Sequence, residues 1–390
     1  MRLGFYYHIP LLCTGDKLFV PGYLGIFLDA LAKEVDTLYL FMHEANAQQA
    51  HDADYELTNK NIQFVNIGPT VPAWYRHLFD KKILKQILPA SKNCDAILIR
   101  SPTPLAPFFK PFSGGAKLIF MIVGNYLEGA KQFKIKNPRD WLMVQYLKRN
   151  DYLFRKEMRT TDVLVNAPSL LKTYAGVCRS IHLIGTTTLS DSDFFSREDT
   201  CASPIVKLLY TGRFEAAKGL FELVEAVHQL NKTKVTVKLH LVGWEAENKN
   251  IVQKALLAKA VALNIENDII FEGRKKIGTS LNEMYRLADI YVIPSYHEGF
   301  PRTIWEAMAN SLPVIATNVG GIPDYLSHKE NALLIKPKSS SDIASHIRML
   351  IDDKTLRIKL IKNGYQLAKN NTVNVQTKKI AVLIKQLISA

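Results

Sequence analysis

The sequence predicts an α/β protein of two successive domains, each a parallel sheet with helices on both faces. Three observations lead there. Apolar strand-like runs alternate with helical runs along most of the chain, the pattern of repeated βαβ units. The alternation stops over a polar, turn-rich stretch at 186–204, read as a linker, and then restarts. Finally, 390 residues, 47% of them hydrophobic, exceed what one core ordinarily holds. The expected division is 1–190, then 204–370, with 371–390 as a C-terminal helix packing back toward the first domain.

In the first domain, MRLGFYYHI reads as a strand, PLLCTGDKLFVPGYLG as a loop and IFLDALAKEV as a helix. TLYLFMH, IQFVNIG, DAILIRS, KLIFMIVGN and DVLVNAPS follow as strands, with a helix around Leu170–Tyr174 and HLIGTTT as a closing strand. The second domain opens on the strand VKLLYTGR. Helices GLFELVEAVHQLNK, NIVQKALLAKAVAL, LNEMYRLA and RTIWEAMANS then alternate with strands KVTVKLHLVG, DIIFEGR, DIYVIPS and PVIATN. ALLIKP is the last strand, and three helical runs complete the chain. Two Rossmann-like domains facing each other across a cleft is the simplest architecture for this order.

Four cysteines, Cys13, Cys94, Cys178 and Cys201, lie far apart in sequence, so neither a disulfide framework nor a zinc pattern is expected. The start MRLGFYYHIPLLC lacks the charged and small-residue flanks of a signal peptide. No apolar run reaches eighteen residues. A cytoplasmic protein, attached to a membrane at most peripherally, is the expectation. The net charge of +14 suits phosphorylated ligands, anionic lipid or nucleic acid. Its spread over both halves argues against a basic nucleic-acid-binding tail, and no zinc, helix-turn-helix or RNA-recognition signature appears. No nucleic-acid partner is therefore expected.

Chemistry concentrates in Ser295–Tyr325, SYHEGFPRTIWEAMANSLPVIATNVGGIPDY. Glu298 falls in a loop after a strand, and Glu306 lies eight positions on, inside a helix that Pro301 suits as a first residue. Loops after strands are where ligands bind in open α/β sheets. Free amides at a helix start, with Gly299, Phe300 and Thr303 beside them, can meet a polar or anionic ligand. Upstream, Gly212 and Arg213 end a strand, and Lys218 precedes a helix, a combination suited to a diphosphate. Gly243 and Gly273 end two further strands, with Arg274 next to the latter. Each glycine alone reads as a plain turn residue, and the glutamates alone as solvated charges. Together they read as one rim of a donor site.

These residues resemble the retaining nucleotide-sugar glycosyltransferases of family 4, glycosyl transferases group 1, which have the two-domain GT-B fold. The matches are Gly212-Arg213 with Lys218-Gly219, Phe271-Glu272-Gly273, EGFP…EAMA at Glu298–Ala309 and PVIATNVGGIPDYL at Pro313–Leu326. The resemblance runs from about Ile205 to Gln366. It implies a nucleoside-diphosphate sugar, expected to be a UDP-sugar, as donor substrate. A glycan or lipid-linked acceptor, retention of anomeric configuration and no further cofactor follow. Glu298 would touch sugar hydroxyls, Glu306 the ribose, and Arg213 and Lys218 the diphosphate. Asp324 stands where glutamate is usual. With no Asp-x-Asp motif, no metal is expected.

The first domain resembles the family only in outline. Gly22 is the candidate for a phosphate-facing glycine. Asn125 stands where many members carry a histidine, and His8 is either an acceptor-side residue or a packed strand residue. Trp74–Leu88, basic and apolar at helical spacing, is either a core helix or a surface for anionic lipid. Lys131–Arg159 is a second basic-aromatic stretch. The competing readings are a GT-B epimerase and a non-catalytic basic membrane- or nucleic-acid-binding protein.

Overall fold

The structure is a computed structural model. It describes residues 1–46, 49, 53–70, 76–124, 137–233, 235–245 and 250–390, with the side chains of 76–81 also outside the described set. Asn125, and Trp74 and Tyr75 of the expected lipid surface, lie outside the described residues. The chain forms two compact units, Met1–Thr188 with Val373–Ala390, and Leu189–Thr372.

The first unit begins with β1 (Arg2–Tyr6). The stretch expected to be a loop holds a small hairpin, β2 (Leu12–Thr14) and β3 (Lys17–Val20), and α1 (Gly22–Ala32) starts before the expected position. β4 (Thr37–Glu44), the short β5 (Tyr55–Glu56), β6 (Ile62–Pro69), α2 (Arg76–Ser91), β7 (Ala96–Ser101) and β8 (Lys117–Ile122) follow. Then come α3 (Pro138–Met158), β9 (Asp162–Val165), α4 (Pro168–Tyr174) and β10 (Ser180–Leu183). The main sheet is parallel, in order β10-β9-β8-β7-β1-β4-β6. Its central strands are buried on both faces, which is why they read as near-continuous apolar runs. Leu3 and Phe5 of β1 pack with Leu24, Phe27 and Leu28 of α1, while Tyr6 joins the opposite core with Ile97 and Phe109.

The apolar face of α2 also belongs to that second core. Ile83, Leu84 and Ile87 are buried there, so these side chains do not form a lipid surface. The helix α3 has no clear apolar stripe in its sequence, because only Val144, Phe154 and Met158 supply buried apolar side chains. Asn137 caps its start by accepting from the Asp140 amide at 2.9 Å.

The second unit runs β11 (Ile205–Arg213), α5 (Leu220–Asn231), β12 (Thr236–Trp244), α6 (Ile251–Ala262), β13 (Ile269–Gly273), α7 (Thr279–Leu287) and β14 (Ile290–Ile293). α8 (Arg302–Ala309), β15 (Val314–Thr317), β16 (Leu333–Ile335), α9 (Ser340–Asp352) and α10 (Lys354–Lys369) complete it. Its parallel sheet has the order β13-β12-β11-β14-β15-β16.

Two segments tie each unit together. Most of 186–204 is a strap on the second unit and no free linker. Arg197 donates to the carbonyls of Arg286 (3.0 Å) and Ala288 (2.7 Å), and Asp193 accepts from Asn282 (2.7 Å). Asp199 takes both arms of Arg357, at 2.6 and 2.8 Å. Such anchors are polar and aperiodic, so the stretch looks like a connector in sequence. The last helix, α11 (Val373–Ser389), belongs to the first unit. Ile380 and Ile384 join the α1 core, and Gln376 accepts from the Gly185 amide at 2.6 Å. No helix among the described residues is long and apolar enough to cross a membrane.

Burial alone would raise the Asp199 carboxyl, but hydrogen bonds from Arg357 and the Thr200 amide outweigh it and hold the group below 3.8. Asp199→Ala leaves a buried guanidinium unpaired and should destabilise the second unit by about 3 kcal/mol in urea unfolding at pH 7. The wild-type advantage is fully present above the unfolded value. It should shrink as pH falls through the lower folded value.

Candidate active site

In the second unit, the chain leaves β11 toward β12 and β13 on one side and returns through β14 to β15 and β16 on the other. The reversal lies between β11 and β14, paired through Leu208–Ile290 and Leu209–Tyr291. The space beyond their carboxyl ends is where an open α/β sheet binds ligands. Two loops meet there: Phe214–Gly219 after β11, and Pro294–Pro301 after β14.

The loops are locked by backbone contact. Tyr296 N–H donates to Ala217 O at 2.8 Å, and Tyr296 OH donates to Glu222 at 2.7 Å. Gly219, at φ 67°, is the residue that caps the start of α5, and a Cβ there would stand 2.1 Å from Pro294 O. Gly320, at φ 57°, comes equally close to the second loop, where a Cβ would lie 1.7 Å from Glu298 O. Both positions therefore require glycine. The approach brings Lys218 Nζ to 2.5 Å from Glu298 Oε1, with Ser295 Oγ donating to the same oxygen at 2.8 Å. Lys218 and Glu298 are only 17% and 14% exposed, so this ion pair is held largely away from water. Thr317 in turn fixes Ser295, donating to its carbonyl at 2.6 Å.

Glu306 lies deeper. Its carboxylate is buried, with Oε2 accepting from Tyr285 OH at 2.8 Å and Arg302 Nε 3.6 Å from Oε1. Tyr285 also meets Thr211 Oγ1 at 2.8 Å, and Thr211 meets Tyr291 OH at 3.1 Å. One buried chain of polar groups thus joins β11, α7, β14 and α8. Burial, then the neighbouring Glu306 charge, pushes the Tyr285 hydroxyl far above its ordinary value, so it stays a donor. Thr303 Oγ1 is buried against Tyr291.

The remaining expected residues divide. Arg213 is exposed and pairs with Glu215 at 3.0 Å. Gly243 packs against Gly212, where a Cβ would lie 1.8 Å from its carbonyl oxygen. Gly273 is exposed, and Arg274 lies over the Trp244 ring at 4.6 Å. Gly299 accepts from the Gly321 amide at 2.9 Å. The Phe300 ring lies 4.5 Å from the tilted Trp305 ring and 4.7 Å from the Tyr325 ring, which it meets edge-on. Pro301 is the residue before α8, one position earlier than expected. In the first unit, the Gly22 amide donates to Asp54 at 2.7 Å, and the His8 ring packs 4.5 Å from Tyr7. Among the described residues, no group of three or more His, Cys, Asp or Glu side chains is placed to hold a metal. Sequence reasoning missed Ser295, Tyr285 and Thr211. Only the polar placement of Thr211 within an apolar strand gave a signal.

Residues 202–367 match the family model described as Glycosyl transferases group 1. Protein CapJ of Staphylococcus aureus is 23% identical over 317 residues, 78% of this chain and 75% of that protein. The N,N'-diacetylbacillosaminyl-diphospho-undecaprenol alpha-1,3-N-acetylgalactosaminyltransferase of Campylobacter jejuni is 28% identical over 173 residues, 44% of this chain. That match spans 42% of the relative's length. The structure of HepE from Anabaena in complex with UDP is similar with a TM-score of 0.68 at 18% identity, covering 99% of this chain and 100% of that one. These findings support a GT-B glycosyltransferase. The whole-chain likeness is one of fold, and the glycosyl transferases group 1 region contains both locked loops and the buried Glu306 network.

Tyr285→Phe removes the hydroxyl that serves Glu306 and Thr211 together. Unfolding in urea should show a loss of about 2 kcal/mol, the effect of leaving a buried acceptor without its donor. An unchanged midpoint would mean that the network adds no stability.

Proposed function

We propose that this protein is a retaining glycosyltransferase that moves a sugar from a UDP-sugar to a glycan or lipid-linked acceptor in cell-surface polysaccharide or glycolipid synthesis. The observation that carries the reading is the Lys218–Glu298 pair, held at the switch point of the sheet inside the matched region. A diphosphate reaching this point draws Lys218 to its oxygens and frees Glu298 to accept hydrogen bonds from the sugar. The bond between the anomeric carbon and the diphosphate oxygen breaks, and negative charge grows on that oxygen. Lys218, Arg213 and the amides at the start of α5 stabilise it without a metal. The acceptor hydroxyl attacks from the face that the diphosphate leaves, and its proton passes to the departing phosphate. The UDP bound to HepE and the diphospho-undecaprenol in the name of the Campylobacter enzyme support the two substrate classes.

Contact with an anionic membrane fits α3 better than α2. Trp141, Leu142 and Tyr152 are 51%, 60% and 69% exposed. At 100° per residue they share a face with exposed Lys148, Arg149 and Lys156, while the acidic Asp140, Asp151 and Glu157 lie elsewhere. An aromatic and cationic face of this kind suits anionic headgroups.

Lys218→Ala, or Arg213→Ala, should lower turnover by roughly two orders of magnitude, as loss of one preorganised charge-stabilising group does. Activity should survive chelation, and NMR of the product should show the donor's anomeric configuration. An inverted product, or activity abolished by chelator and restored by Mn²⁺, would refute the corresponding part of the mechanism. Double replacement of Trp141 and Leu142 by serine should abolish flotation with phosphatidylglycerol vesicles. Undiminished flotation would remove α3 from the account.

A further inference from the structure

The first unit has its own switch point. From β1 the chain runs outward through β4 and β6, then returns to β7 on the other side of β1 and continues to β8. Arg100 lies near the carboxyl end of β7, beside the residues that follow β1. Its guanidinium sits 4.8 Å over the Tyr7 ring and 6.0 Å from the Phe27 ring of α1. The side chain is half-buried, its Nε is enclosed without a hydrogen-bond partner, and no carboxylate among the described residues pairs with it. Other guanidinium groups withdrawn from water, half-buried Arg197 and buried Arg357, differ. Arg197 donates to three carbonyls, and Arg357 has Asp199.

We infer that Arg100 is the centre of an oxyanion site that recognises a phosphate or carboxylate on the acceptor. A cation withdrawn from water without a counter-charge is unfavourable, and an entering anion removes that penalty. The Tyr7 face holds the guanidinium plane in one orientation, so little freedom is lost when the anion binds. Guanidinium forks meet phosphate and carboxylate oxygens through paired, charge-assisted hydrogen bonds. The location agrees, because the carboxyl ends of strands at a reversal of order are the ligand side of such a sheet. This inference rests on the glycosyltransferase reading and adds a chemical class for its acceptor: an anionic one, either a lipid-linked phosphate or an acidic sugar.

The test is calorimetric titration of the full chain, saturated with UDP so that the second unit's anion site is filled. Inorganic pyrophosphate and glucuronate serve as separate probes for the two sources. The wild type should bind at least one of them, with the preferred probe naming the source. Arg100→Gln should weaken that binding at least about tenfold, as loss of a bidentate charged contact does, with UDP affinity unchanged. Arg100→Lys should fall between, because it keeps the charge and loses the fork. If Arg100→Gln also loses UDP affinity, Arg100→Lys decides: probe binding weakened with UDP affinity intact supports the site, and unchanged probe binding overturns it. Wild-type protein that binds UDP but neither probe, or an Arg100→Gln variant that binds as the wild type does, overturns the site while leaving the donor reading intact. Failure to bind UDP at all counts against the donor reading instead.

Discussion

The second unit is built around two loops that can approach only because glycines face them. Gly219 against Pro294 O and Gly320 against Glu298 O leave no room for a side chain, and both need a left-handed backbone. That approach sets the Lys218–Glu298 ion pair from residues 80 positions apart. The pair is mostly withdrawn from water, so each charge depends on the other until a ligand offers a replacement. On the proposed function, a diphosphate sugar would offer both: oxygens for the lysine and hydroxyls for the glutamate. In the structure, the pair keeps the loops together.

Beneath it, the Thr211–Tyr285–Glu306 chain does a different job. It places ionisable groups in the core of the unit and satisfies them with one another, which fixes β11, α7 and α8 in one mutual arrangement. Half-satisfied buried networks are unfavourable, so any shift of α8 must break several hydrogen bonds together. The loop that carries Glu298 leads directly into that helix. Rigidity at Glu306 is therefore transmitted to the loop that carries Glu298.

Most strands were legible because buried parallel strands read as plain apolar runs. The helix α3 was not, since its buried residues are few and its exposed face carries Trp141, Leu142 and Tyr152, which breaks the usual polar-outside pattern. The strap around Arg197 and Asp199 looks like a linker in sequence because its anchors are polar contacts to carbonyls and to Arg357, which leave no period. The glutamate pair could be read from its spacing. The partners of each could not, because the fold brings Lys218 to Glu298 and Tyr285 to Glu306 from distant positions. Arg100 gave no sequence signal at all, since its meaning lies in the absence of a carboxylate partner among the described residues and in the ring of Tyr7 beneath it.

The central claim is that the locked loops of the second unit bind a nucleotide sugar. Thermal unfolding against a panel of UDP-, GDP- and ADP-sugars tests it most directly. A donor at one hundred times its dissociation constant stabilises the folded state by about 2.7 kcal/mol, or roughly 5–10 °C for a unit of this size. The account predicts such a shift with a UDP-sugar in the wild type and its loss in Lys218→Ala. A panel in which no nucleotide sugar raises the midpoint would contradict it.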